Sequence, residues 1–163
     1  MAKSKYQRID LAAQQLERAV VMFLQGQDRF SVITLAGAAS GILTQLVLNA
    51  KKQPFVDYAR LIQSKYFGPT TPPRDKFNRH INDQFGIHAL RHHAANDPPT
   101  IDMDEEKAAE NAITRAICDY IELRGQSEPF VIAFLNSTWM TRDGPKIMAE
   151  YEAQPKTVKA LKK

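Results

Sequence analysis

The 163-residue chain is 44% apolar and 25% charged, which gives it the length and core material of one folded domain and excludes a largely disordered polymer. Its formal charge of +4 and pI near 9.2 invite a nucleic-acid partner, but Lys3, Lys5 and Arg8 precede the first acid and Lys156, Lys159, Lys162 and Lys163 follow the last, leaving 15 basic against 18 acidic groups over residues 9–153. A single cysteine, Cys118, excludes an internal disulfide and a paired-cysteine zinc site, and the opening residues lack the unbroken apolar run of about 7–15 that a secretory signal requires. No stretch reads as the roughly 18 apolar residues of a membrane helix, so the expected compartment is the cytoplasm, with no membrane partner.

Prolines at 54, 69, 72, 73, 98, 99, 129, 145 and 155 divide the chain into long proline-free stretches, and an interior proline costs a helix about 3 kcal/mol, so those stretches are free to be helical. The first, about 6–25, places Ile9, Ala12, Ala13, Leu16, Ala19, Val20, Phe23 and Leu24 at 3–4 spacing, one apolar helical face, with Gly26 as its stop. The second, about 29–52, is apolar almost all round and carries Ala36-Gly37-Ala38-Ala39-Ser40-Gly41 at its centre. Two glycines inside a helix predict close approach of a neighbouring helix. A phosphate-cradling loop would need a P-loop Lys and a preceding strand, and the sequence has neither.

A third helix starts at Pro54 and runs to about Tyr66; the loop Gly68–Pro73 follows. The fourth, about 74–94, is closed by Asn96-Asp97-Pro98-Pro99. The fifth begins near Asp102, with Glu105 completing a capping box, and its core stripe is Ala109, Ala112, Ile113, Ala116, Ile117, Tyr120 and Ile121. Cys118 sits beside that stripe and reads as packing rather than as a nucleophile. A short sixth helix covers Pro129–Leu135; Trp139 and Asp143-Gly144-Pro145 come next, then an amphipathic segment with Ile147, Met148 and Tyr151. The sum is an all-α, single-domain up-and-down bundle of five to six helices over residues 1–153, with a mobile lysine-rich tail at 154–163.

All four histidines fall in the fourth predicted helix. Its apolar stripe Phe77, Ile81, Phe85 continues at 3–4 spacing into His88 and His92, so the spacing predicts an inner face that changes from hydrocarbon to imidazole. Arg91, His93 and Arg79 surround that end, with Asn78 and Asn82 as neutral hydrogen-bonding groups. A histidine near a helix C-terminus also has a plain structural role, favoured by the dipole. Beyond that, the cluster admits three uses: a metal site lacking any Glu-x-x-His or HExxH companion, proton transfer on RNA by imidazole and guanidinium, or a positive binding surface without chemistry.

The phrases SVITLAGAASGILTQLVLNA (31–50), HINDQFGIHALRHHAAND (80–97) and IDMDEEKAAENAITRAICDYIELRGQSEPFVIAFL (101–135) together resemble an uncharacterised bacterial HEPN-like all-helical family. The resemblance covers about Ile9 to Leu135. It implies an all-α fold, frequent homodimers, no cofactor, and kinship with metal-independent endoribonucleases of toxin or defence type. Their motif, Arg and then His after four to six residues, would place the histidine at His92, with His88 where such sequences often carry Asn; on the reading of the cluster itself, Arg91 or Arg79 would stabilise phosphate charge and His88, His93 and Asn82 would hold ligand. Ile87 stands where the active motif has Arg, so the catalytic pattern is incomplete. The pair Arg74 and His80 has the motif's spacing but falls in an earlier turn than the resemblance requires. The leading expectation is therefore a non-catalytic interaction or RNA-, nucleotide- or phosphate-binding protein, with a protein partner as a further candidate; a nuclease and a metal-binding bundle are the alternatives.

Overall fold

The central element of this computed structural model, which describes residues 3–141 together with Ala149 and Ala153, is a helix with no charged residue after its first. That helix, α2 (Arg29–Asn49), packs against α1 (Arg8–Leu24) and α5 (Glu105–Arg124); α3 (Phe55–Phe67) and α4 (Arg74–Gln84) form a hairpin to one side, and α6 (Pro129–Thr141) lies on α1. The described residues contain six α-helices and no strand. The architecture is an all-α single-domain bundle. The expected turn at Asp143–Pro145, the segment with Ile147, Met148 and Tyr151 and the lysine-rich residues 154–163 lie outside the described residues.

By length and composition α2 is apolar enough to cross a bilayer, with a mean hydropathy of 1.7, which the sequence reading did not anticipate. Here its buried face fills the bundle: Val32, Ile33, Ala36, Ala39, Leu43 and Val47 are fully inaccessible. All of these but Val47 meet Leu16 and Val20 of α1, Ile113 and Ile117 of α5, and Val131 and Phe134 of α6 in one core. Removal of that much apolar surface from water is the main stabilising term.

Local chemistry sets the ends. Asp28 caps α2, accepting from Phe30 and Ser31 backbone N–H, and the Ser31 contacts hold its carboxyl below the usual carboxylate range. Arg29 then ties three helices together. Its guanidinium lies 4.5 Å from the Phe23 ring centroid, donates to the Phe23 carbonyl and pairs with Glu106 at 2.5 Å. The fifth helix starts two to three residues later than its expected capping box: Asp104, not Asp102, is the cap, accepting from Lys107 N–H at 3.0 Å.

Gly37 meets a close neighbour, though not the expected helix. A Cβ built there would lie 2.8 Å from Ile87 Cγ2, which comes from the turn after α4; at Gly41 a Cβ would meet nothing within 4 Å. Gly37→Ala is therefore expected to lose stability on balance, because about 1–3 kcal/mol of overpacking exceeds the roughly 1 kcal/mol gained in helix propensity. Gly41→Ala keeps the gain alone. Urea unfolding of the two variants should shift the midpoint in opposite directions, and a parallel shift would contradict this account.

The largest departure from expectation is α4. It ends at Gln84, not near residue 94. Gly86 adopts φ +69 and its N–H returns to the Asp83 carbonyl, one bond of a Schellman-type stop. The chain swings, so the 3–4 arithmetic that carried Phe77, Ile81 and Phe85 into the histidines no longer applies. Ile87, 3% exposed, enters the main core instead.

Candidate functional site

The inner face of α4 is divided lengthwise. Phe77 and Ile81 pack on Val56, with Phe55, Ala59 and Phe85 around them, as a small second core inside the α3–α4 hairpin. Arg74, Asn78 and Asn82, also at i, i+4 spacing, form a polar stripe beside it. Arg115 of α5, 3% exposed, donates from Nη1 to Asn82 Oδ1 at 2.6 Å and from Nη2 to Asn78 Oδ1 at 2.8 Å. Burial lowers its pKa, and the nearby Arg74 lowers it further while Asp119 opposes both. Arg74 itself pairs with Asp57 of α3 at 2.6 Å.

Asp119, one turn beyond Arg115, has no accessible surface. Its Oδ2 accepts from Thr44 Oγ1 and its Oδ1 from the Phe55 backbone N–H, both at 2.6 Å. Phe55 is the first residue of α3, and the residue before it, Pro54, has no side-chain cap to offer. Asp119 thus caps α3 from a different helix. Burial pushes its carboxyl pKa up, against the lowering by these hydrogen bonds and by Arg115. This seam joins the hairpin to the bundle and spends Asn82's carbonyl on Arg115, so Asn82 does structural work. Neighbouring Cys118 has its thiol pushed up to about 11, first by burial and then by Asp119 and Glu122, which keeps it un-ionised near neutrality.

The histidines are outside. His88 and His92 remain side by side, ring centroids 4.9 Å apart, because the turn keeps one helical bond from His92 N–H to the His88 carbonyl at 3.0 Å. Both are exposed, as are His93 and, on α4, Arg79 and His80. Among the described residues none of these five side chains makes an ion pair or a side-chain hydrogen bond. The expected inner imidazole face is thus an outer one, and Arg79 lies on α4 whereas His92 lies beyond its end, outside any helix.

Arg91 has a different setting. With Arg8, from the first turn of α1, it lines a groove of about 510 Å³ on the outer face of α2. Gly41 and Ile42 form part of the floor, Gln45 and Asn49 supply amides, and no carboxylate lines it. The open space over Gly41 leaves room in a concave bed that Arg8 and Arg91 both line. Arg8 was counted in the sequence only as part of the basic N-terminal run; its pairing with Arg91 depends on how α1 and the post-α4 turn both reach α2. Comparison of the chain with protein-family models, curated proteins and solved structures gives no match in any of the three.

Proposed function

We propose that the chain is a non-catalytic phosphate-binding module whose groove, between Arg8 and Arg91, takes the backbone of RNA. The observation that carries this reading is that Arg8 and Arg91 both line one concave surface that no carboxylate lines. Guanidinium forks match phosphate oxygens bidentately, the amides of Gln45 and Asn49 add neutral hydrogen bonds, and the exposed His88–His92 pair borders Arg91 in sequence. The all-α bundle agrees with the HEPN-like resemblance at the level of fold class, and the homodimer enters on that resemblance alone.

Catalysis is not part of the reading. The motif arginine of the resembled nucleases is replaced by Ile87, which is committed to the core, and the His92 side chain has no hydrogen-bond partner among the described residues to orient it. A metal-binding reading lacks a ligand set, since no three His, Cys, Asp or Glu side chains converge among the described residues.

The test is binding of a single-stranded RNA oligonucleotide across a salt series. Each phosphate contact on a single strand contributes about 0.7 to the slope of log affinity against log salt. Arg8→Ala combined with Arg91→Ala is expected to lower that slope by about 1.4 and to weaken binding at low salt. The RNA should be recovered intact after incubation in EDTA. An unchanged slope removes the groove from the reading; cleavage that disappears in His92→Ala converts the protein into a nuclease.

A further inference from the structure

A second concave surface shares the outer face of α2 with the arginine-lined groove. It is a hollow of about 600 Å³ between the C-terminal half of α1 and the first turns of α2. Ser31, Thr34 and Leu35 line the hollow, and Ala38, Ile42 and Gln45 line the groove, so their 3–4 spacing puts both on one side of the helix. The turn after α4 borders the two together: Leu90 lines the hollow and Arg91 the groove. From Ser31 to Gln45 the helix rises about 21 Å.

Their chemistry differs. The groove has arginines, amides and no carboxylate, whereas Met22, Leu35 and Leu90 give the hollow apolar walls. Phe30 lies beside them, 44% exposed, and its ring meets no other aromatic ring among the described residues. On the rim, Arg18 supplies donors against the oxygens of Asp28, Ser31 and Thr34. The Ser31 hydroxyl donates to Asp28 Oδ2 and the Thr34 hydroxyl to the Phe30 carbonyl, so each retains acceptor capacity only. The Asp28 carboxylate makes this a poor place for phosphate. A flat ring that carries an amine suits it.

We infer that the hollow is a nucleobase subsite, in which one base of the bound strand, adenine before the others, stacks on Phe30 while phosphates of the same strand lie in the groove. The inference rests on the RNA reading of that groove for its ligand. Stacking on an aromatic side chain is worth roughly 5- to 150-fold in affinity per base and is open to every base. The rim makes the choice among them. Adenine sets an exocyclic amine, a donor to the Ser31 and Thr34 oxygens, beside ring nitrogens that accept from Arg18. Uracil and guanine carry a carbonyl oxygen where adenine has its amine, and cytosine keeps the amine on a smaller ring. At the stacked spacing of about 3.4 Å per nucleotide, a decamer is long enough to reach from one surface to the other.

Fluorescence anisotropy with dye-labelled oligoadenylate and oligouridylate decamers, over a salt series, tests the subsite in the unmodified chain and in Phe30→Leu. Leucine keeps an apolar side chain at an exposed position, and an unchanged urea midpoint shows that the fold is intact. The variant is expected to bind oligoadenylate roughly 5- to 150-fold more weakly at every salt concentration with the salt slope unchanged, because stacking releases no counterion. The unmodified chain should prefer oligoadenylate, and the variant should lose most of that preference. Adenosine, which has no phosphate, separates the subsite from the groove: at millimolar concentration it should shift the backbone amides of Phe30, Thr34 and Leu90, and uridine should shift them less. A reduced slope in the Arg8 and Arg91 double variant, with Phe30→Leu binding as tightly as the unmodified chain, overturns the subsite and leaves the groove standing. Adenosine shifts together with a slope indifferent to Arg8 and Arg91 overturn the groove and leave the subsite standing. Equal binding of the two decamers to the unmodified chain overturns the adenine preference.

Discussion

Asp119→Ala is expected to destabilise the fold by about 2–5 kcal/mol, since each buried hydrogen-bond donor left without its acceptor costs about 1–3 kcal/mol. The truncation does three things together. It leaves Arg115 buried with only the neutral carbonyls of Asn78 and Asn82 as contacts, it strands the Thr44 hydroxyl, and it uncaps α3 at Phe55 N–H. Urea unfolding followed by far-ultraviolet circular dichroism reads the loss. Asp119→Asn retains an acceptor for Phe55 and a polar neighbour for Thr44, so its loss should be smaller. A smaller loss for Ala than for Asn would mean that the seam is not what holds the hairpin.

The same pair of proteins carries a pH signature. Burial raises the Asp119 pKa above the ordinary value of 3.8, so between 3.8 and that raised value the folded chain binds the proton more tightly than the unfolded one. Stability from this group is then greatest at low pH and is lost as pH rises through the folded pKa. The Asn variant does not titrate there. Relative to it, the unmodified chain should gain stability as pH falls from 7 toward 4; a relative loss on acidification would mean that the hydrogen bonds from Thr44 and Phe55 outweigh burial.

Which parts of this were legible in the sequence follows from the range of the forces involved. The ends of α1, α2 and α5 fall within three residues of their expected positions, because periodicity and caps are local. The fourth helix failed on a local signal too: Gly86 was read through because the apolar stripe Phe77, Ile81, Phe85 continued arithmetically into His88 and His92, and a left-handed glycine stop outranks such a continuation. The side-by-side placement of the two imidazoles survived, since the i→i+4 bond from His92 N–H to the His88 carbonyl remains. Arg115 and Asp119 were visible only as polar residues flanking a core stripe. Their partners on α2, α3 and α4 are set by packing, and no spacing in one sequence announces that. The joining of Arg8 and Arg91 on one groove is tertiary in the same sense.

Ile87→Arg, the substitution that would complete the motif of the endoribonucleases the sequence resembles, is expected to cost about 4 kcal/mol or more and to yield no RNA cleavage. Ile87 is 3% exposed and belongs to the main core, so its replacement forfeits about 1.5–3 kcal/mol of apolar burial. The site also lacks room, because Ile87 Cγ2 would already lie 2.8 Å from a Cβ on Gly37. A guanidinium there would displace α2, or drag the turn off it and take Leu90 and Arg91 along, and its charge would have no carboxylate prepared for it. Ile87→Val, which removes one methyl, should cost only about 0.5–1.5 kcal/mol and leave RNA binding intact, which separates loss of packing from loss of the groove. Thermal unfolding of both variants, with RNA binding measured on whatever remains folded, decides the matter. Near-native stability for the Arg variant would show that position 87 can turn outward, and would put an arginine within a few residues of His92 as the motif demands. The expected collapse instead makes Ile87 the residue that anchors the turn to Gly37, and with it the position of Arg91 beside the groove.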